Sequence, residues 1–217
     1  MKTMSFGRYG QAALLALCML SGCALTNKAT PTIPRYFTPE LPAVTAKSEA
    51  PRAGGELQLG RVSASSHIRD KIIYRSSSYE VGFYDDLLWT ERPDAYLRRA
   101  LSQVLFERER LHSVVSGMAP VLDVELVNFE EVREPSHRAL VQLTLILRDD
   151  HMVRLEQTLK VERPIAAANK AQVPAAIAAA LGDALNSAVS EISARVVAEL
   201  GPKTPAGVAS RPTAAVR

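Results

Sequence analysis

From residue 122 onward the chain alternates between apolar and polar positions. Leu122, Val124 and Leu126 share one parity, and Val141, Leu143, Leu145 and Leu147 repeat it. Val153, Leu155, Leu159 and Val161 repeat it again, with Arg154, Glu156, Lys160 and Glu162 on the other side. A period of two predicts strands with one covered and one wet face, and hence an antiparallel sheet. Asp149-Asp150 between the second and third of these strands predicts a tight hairpin. Upstream, Leu57, Leu59 and Val62 predict a first strand, and residues 71–75 and 79–84 predict two short ones separated by Ser76-Ser77-Ser78.

Two stretches change to helical spacing. Pro93 opens the first, where its missing N–H costs nothing, and Leu97, Ala100, Leu101, Val104 and Leu111 share its apolar face. The second runs from about 173 to 200, with Ile177, Leu181, Leu185, Val189, Ile192 and Val196 in one stripe, and Gly201-Pro202 ends it. The pattern predicts an α+β fold, an antiparallel sheet with two helices packed on one face, in a single compact domain over residues 56–200. Such a length buries about two-thirds of the surface of its unfolded chain and needs no disulfide or metal staple.

The ends have other compositions. Lys2 and Arg8 precede the apolar run from Ala12 to Leu20, which as a helix reaches only about 14 Å against a hydrocarbon core of roughly 30 Å. A cleaved signal peptide over residues 1–22 fits better than a membrane span. Leu20-Ser21-Gly22-Cys23 resembles the lipobox of bacterial lipoproteins, with small residues ahead of a thiol that takes a diacylglyceryl group; Cys23 is thus the expected lipidation (palmitate) site. Processing would discard Cys18 and convert Cys23 to a thioether, leaving no thiol for a disulfide, a zinc site or a nucleophile. Ala24, in place of an aspartate, favours sorting to the outer membrane.

Residues 23–55 form an expected linker, carrying Pro31, Pro34, Pro39, Pro42 and Pro51. Stretched in a polyproline conformation it would reach about 100 Å, with Tyr36-Phe37 expected to pin part of it onto the domain as an edge strand. Residues 201–217, with Lys203, Arg211 and Arg217 and no acids, are expected to be a disordered tail. Of 26 Lys and Arg against 23 Asp and Glu, Lys2 and Arg8 leave with the signal, and the remaining near-balance argues against a nucleic-acid partner.

The chemistry-bearing residues do not assemble into a catalytic pattern. His67, His112, His137 and His151 lack the spacing of a metal pair, and Asp85-Asp86, Glu130-Glu131 and Asp149-Asp150 read as turn and edge residues. No Gly-x-Ser-x-Gly or phosphate-binding glycine loop is present, so the expectation is no enzyme, no cofactor and no metal. Phe83, Tyr84, Leu87, Leu88 and Trp89 cluster beside the first helix, and Phe106 falls opposite that helix's apolar face. They are either core closure or a docking surface, since Trp and Tyr are over-represented at binding hot spots. The reading here is that Trp89 is a lid on the core and that Phe83, Tyr84 and Phe106 offer the partner surface.

Leu59-Gly60-Arg61-Val62, Ile68, Ile72-Ile73-Tyr74-Arg75, and Trp89 and Pro93 before an amphipathic helix resemble the ABC-type transport auxiliary lipoproteins, the PqiC-like family. Leu126-Val127-Asn128-Phe129-Glu130 and the Ala-rich last helix agree with it, and Cys23 matches the family's lipid attachment. The resemblance covers residues 56–200 and departs at Ser65-Ser66-His67-Ile68 and Leu88-Trp89-Thr90. It implies a non-enzymatic, outer-membrane-anchored accessory or docking component of an MCE/ABC-type system that moves lipids between membranes. Its implied partners are a periplasm-spanning MCE protein and the membrane transporter behind it; homo-oligomerisation is left open. The alternative is an assembly or plug lipoprotein of an outer-membrane machine for lipopolysaccharide insertion or secretion.

Overall fold

The computed structural model describes residues 32–40 and 55–201. The expected signal peptide, Cys23, most of the linker and residues 202–217 lie outside them. The strands are β1 (Arg35–Phe37), β2 (Glu56–Ala64), β3 (Lys71–Arg75), β4 (Val81–Trp89), β5 (His112–Ser113), β6 (Val121–Val132), β7 (Arg138–Arg148) and β8 (Val153–Pro164). The helices are α1 (Pro93–Ser102) and α2 (Val173–Leu200).

β6, β7 and β8 form the antiparallel meander that the alternation predicts, with Leu126 opposite Leu143 and Leu143 opposite Leu159. Asp149 closes the β7–β8 hairpin, its Oδ1 accepting from the backbone N–H groups of His151 and Met152. The arginine of Arg154, then these two backbone donors, hold the Asp149 carboxyl down to about 2.

The wholly antiparallel sheet expected from the sequence is corrected on the other side of β6. β2 pairs parallel with the first half of β6, from Gln58 opposite Val121 to Ala64 opposite Leu126, and β3 pairs parallel with Glu130, Glu131 and Val132. Alternation reports which face a side chain takes, not which way the neighbouring strand runs. A parallel neighbour needs a long crossover, and the chain between β2 and β6 supplies one that contains α1. The result is a mixed eight-stranded sheet in an α+β fold.

β1 pairs parallel with the end of β4, Arg35 opposite Leu87 and Phe37 opposite Trp89, so Tyr36-Phe37 lies in the expected edge strand. This pairing puts an ordered element inside the stretch read as linker. The chain between Cys23 and β1 is then residues 24–34.

β4 runs on to Trp89, past the expected end at Tyr84. Asp85 and Asp86 are therefore strand residues and not a turn. Their segment carries the register shift between the Phe83–Ile73 and Leu88–Lys71 pairs, which interrupts the alternation.

α1 is shorter than the apolar spacing suggests and passes into a π-helical turn over Gln103–Arg108. Leu111 lies beyond it, after Arg110 at φ 60°, and still packs into the core. α2 has the expected bounds, and its whole stripe from Ile177 to Val196 is buried against the sheet. By length and hydropathy α2 could cross a membrane, but half of its apolar window is buried within the protein, as in a core helix.

The Leu59-Gly60-Arg61-Val62 segment has a physical explanation. Its register against β6 slips between Leu59 and Val62, and there the Arg61 N–H donates to Asp123 Oδ1 at 2.6 Å. A Cβ at Gly60 would stand 2.3 Å from that same oxygen, so only glycine lets the strands approach this closely. Arg98 on α1 donates to the Gly60 carbonyl at 2.6 Å and ties the helix to the irregularity.

Candidate functional site

The aromatic residues singled out in the sequence do not form one surface. Successive strand residues point to opposite faces, so β4 sends Phe83 one way and Tyr84 the other. Phe83 is 44% exposed and lines a recess of about 250 Å³ with His67, Arg69, Asp70 and Lys71. Lys71 is held at 3.0 Å by Asp85, leaving the recess an apolar ring bordered by Arg69 and His67.

Trp89 is 3% exposed, its ring tilted on Phe129 with centroids 5.2 Å apart. It is a core residue, the lid that the sequence reading favours, and not part of a partner surface. Phe106 sits on the π-helical turn, half-buried against the core.

Tyr84 belongs to a network of charged and aromatic groups at the β3–β6 seam. Its hydroxyl donates to Glu131 Oε2 at 2.7 Å and accepts from Arg133 Nη2 at 2.9 Å. The Arg133 guanidinium lies 3.7 Å from the Tyr74 ring centroid, and Tyr74 meets Tyr84 edge-on at 5.1 Å. Gly82 makes room for this stack, since a Cβ there would meet the Tyr74 ring at 2.3 Å. The other Glu131 oxygen lies 2.6 Å from His137 Nε2. Burial, then the hydrogen bond to Glu131, push the Tyr84 hydroxyl up to about 12, against the lowering effect of Arg133.

On the opposite face Glu130 is wholly buried and takes a forked contact from Arg75, 2.7 Å to Oε1 and 3.1 Å to Oε2, with Asn128 donating at 3.2 Å. The sequence reading of Glu130-Glu131 as turn and edge residues is corrected: the two carboxylates do face opposite ways, but both are buried and each has its own set of donors. Parity held a signal for this. Phe129 and Glu131 continue the covered row of Leu122, Val124 and Leu126 after the slip between Leu126 and Asn128. Arg75 and Arg133 are the cations within reach.

Chemically, this cluster is a closed set of donors and acceptors that locks β3 and β4 onto the end of β6. Among the described residues no group of three or more His, Cys, Asp or Glu is placed to share a metal ion.

A family model described as the ABC-type transport auxiliary lipoprotein component matches residues 38–193. A crystal structure of a Xanthomonas campestris protein of the DUF330 family is similar at TM-score 0.65 and 20% identity, over 76% of this chain and 96% of that one. A second solved structure, of an uncharacterised protein, gives TM-score 0.60 and 12% identity over 76% of this chain and 99% of that one. At these identities the likeness is one of fold. No curated protein matches.

Proposed function

This chain belongs to the family of ABC-type transport auxiliary lipoprotein components, and on that premise we propose that it is a non-enzymatic docking element of an MCE-type lipid transport system, anchored to the outer membrane and facing the periplasm. The observation that carries the reading is the family match, which spans nearly the whole folded part. Support comes from the sequence at the other end. A lipobox at Leu20-Ser21-Gly22-Cys23 would attach the mature chain through Cys23, and Ala24 would direct it outward. Residues 24–34 would let the domain, from β1 to the end of α2, stand off the membrane by about 34 Å in a polyproline conformation.

The anchor gives docking its logic. A tethered domain searches a thin layer beside the membrane at a raised effective concentration, so modest intrinsic affinity is enough. Phe83 and its recess are the part of the expected partner surface that this reading retains. Tyr84 acts there through the network that holds β4, and Phe106 contributes through its exposed edge.

The test is to purify the full lipidated chain from outer-membrane fractions under mild detergent and identify what accompanies it. Co-purification of an MCE protein, lost in a Cys23→Ser variant that no longer takes a lipid label, supports the proposal. A chain that sediments with the inner membrane overturns it, and one that brings an outer-membrane β-barrel in place of an MCE protein overturns it in favour of the assembly-lipoprotein alternative.

A further inference from the structure

β8 is the long free edge of the sheet. Among the described residues it pairs only with β7, and over twelve residues its other side meets no strand. Such an edge is a template for another strand, and proteins ordinarily blunt it with charge, bulges or proline. Here proline comes only at Pro164 and a bulge only at Arg154, where the pairing with β7 shifts by a residue, and the charges follow a particular order. The wet face of β8 reads Arg154, Glu156, Thr158, Lys160, Glu162, all exposed.

That order is complementary to itself when reversed. We propose that β8 pairs antiparallel with β8 of a second copy of this chain, about a two-fold axis at Thr158. In that register Arg154 faces Glu162, Glu156 faces Lys160, Thr158 faces Thr158, and the symmetry repeats both ion pairs. On the helix side Leu155 faces Val161, apolar against apolar, while Gln157 faces Leu159 and Val153 faces Arg163, the polar ends of Gln157 and Arg163 being held by Arg195 and Ser187 of α2. Cross-strand pairs of opposite charge stabilise a sheet and like charges directly opposite oppose it.

Neighbouring registers are rejected by the same residues. Moving the axis one residue toward the start sets Arg154 against Lys160, and one residue toward the end sets Glu156 against Glu162. Moving it two residues either way stacks Glu156 on Glu156 or Lys160 on Lys160. One register pairs every charge of the wet face, as expected of an isologous interface.

The rest of the fold leaves space for it. A two-fold perpendicular to the sheet keeps both helical layers on one side. α2 lies over β7 and β8, its β8 side fixed by Arg163 to Ser187 and Arg195 to Gln157, both at 2.6 Å. The two α2 helices would then stand about 10 Å apart, the separation of packed helices. Ser187 and Ser190 line a shallow groove beside Arg163, together with Asp183 and Asn186. Lys160 and Glu162 now pair with each other at 2.8 Å, and Arg154 with Asp149 at 2.8 Å. These pairs are partly exposed and contribute little to the fold, so they can be exchanged for cross-strand contacts, Asp149 keeping its two backbone donors.

The experiment uses the full chain in excess detergent, so that micelles hold one anchor each, and follows mass against concentration by analytical ultracentrifugation. A monomer–dimer equilibrium is expected. Lys160→Glu should weaken it about tenfold or more, because it sets glutamates against each other at two symmetric points. Glu156→Lys combined with Lys160→Glu should restore it, with melting temperature as the check that both variants fold. Thr158→Cys should cross-link to a dimer with a short bismaleimide, whereas Tyr79→Cys, fully exposed on the far side of the sheet, should not. A chain that stays monomeric at all concentrations overturns the proposal. So does a double variant that associates no better than the single one, or a Thr158→Cys chain that fails to cross-link.

Discussion

Substituting Arg75 by Met would test whether the buried charge at the β3–β6 seam is a structural requirement. Glu130 is 0% exposed, and two of its three donor contacts come from the Arg75 fork at 2.7 and 3.1 Å, leaving Asn128 at 3.2 Å alone. Removing one partner of a buried ion pair costs about 3–5 kcal/mol, because the other charge stays behind without compensation. The Arg75 side chain is itself one-quarter exposed, so the lower end applies, about 3 kcal/mol. At about 2–4 °C per kcal/mol for a domain of this size, the melting temperature should fall by roughly 6–12 °C. The reverse substitution, Glu130→Gln, leaves an arginine that can turn to water and should cost only about 1 kcal/mol. The double variant should be markedly more stable than Arg75→Met alone, since it removes the orphaned charge. Urea denaturation followed by circular dichroism on the four proteins gives the cycle. Equal costs for the two single variants, or a double variant as unstable as Arg75→Met, would refute the reasoning.

Three further outcomes are expected. Trp89→Ala, which empties a core site against Phe129, should cost about 3–5 kcal/mol in chemical denaturation; a near-normal midpoint would return Trp89 to the surface. Leu143→Ala and Leu185→Ala, both at most 1% exposed at the sheet–helix interface, should each cost about 2–5 kcal/mol on the same assay. The Tyr84 hydroxyl should titrate near pH 12 by phenolate absorbance, above the ordinary value of 10.0. Because its folded value is raised, its contribution to stability is complete below pH 10 and is lost between pH 10 and 12; Tyr84→Phe should abolish that alkaline step.

The parts of the fold legible in the sequence are those with one dry face and an uninterrupted period. β6 to β8 and α2 qualify, and their inward rows and bounds follow the pattern closely. β4 does not, because its register shift breaks the alternation and Asp85-Asp86 then looks like a turn. Strand direction was illegible for a different reason. β2 and β3 have ordinary amphipathic patterns, and nothing in them records that β6 runs parallel beside them. In the candidate site, adjacency in sequence was mistaken for proximity in space. Phe83 and Tyr84 are neighbours in the chain and are separated by the thickness of the sheet.

The buried carboxylates mark the place where the fold changes partners. Along one edge of β6 the neighbour is β2 as far as Leu126 and β3 from Glu130, so three positions of that edge lie between two ladders. β6 also slips its register against β7 between Leu126 and Asn128, at the same level. Apolar packing is weakly directional and would tolerate β3 sliding along β6 by a residue pair. A forked Arg75–Glu130 contact on one face and the Tyr84–Glu131–Arg133 chain on the other do not, because each loses its geometry with a shift of a few ångströms. The polar clusters thus fix the register of β3, and through it β4 and β1, at the seam where β6 changes neighbours. That makes the position of Phe83, two pairings away from β6, a consequence of Glu130 and Glu131.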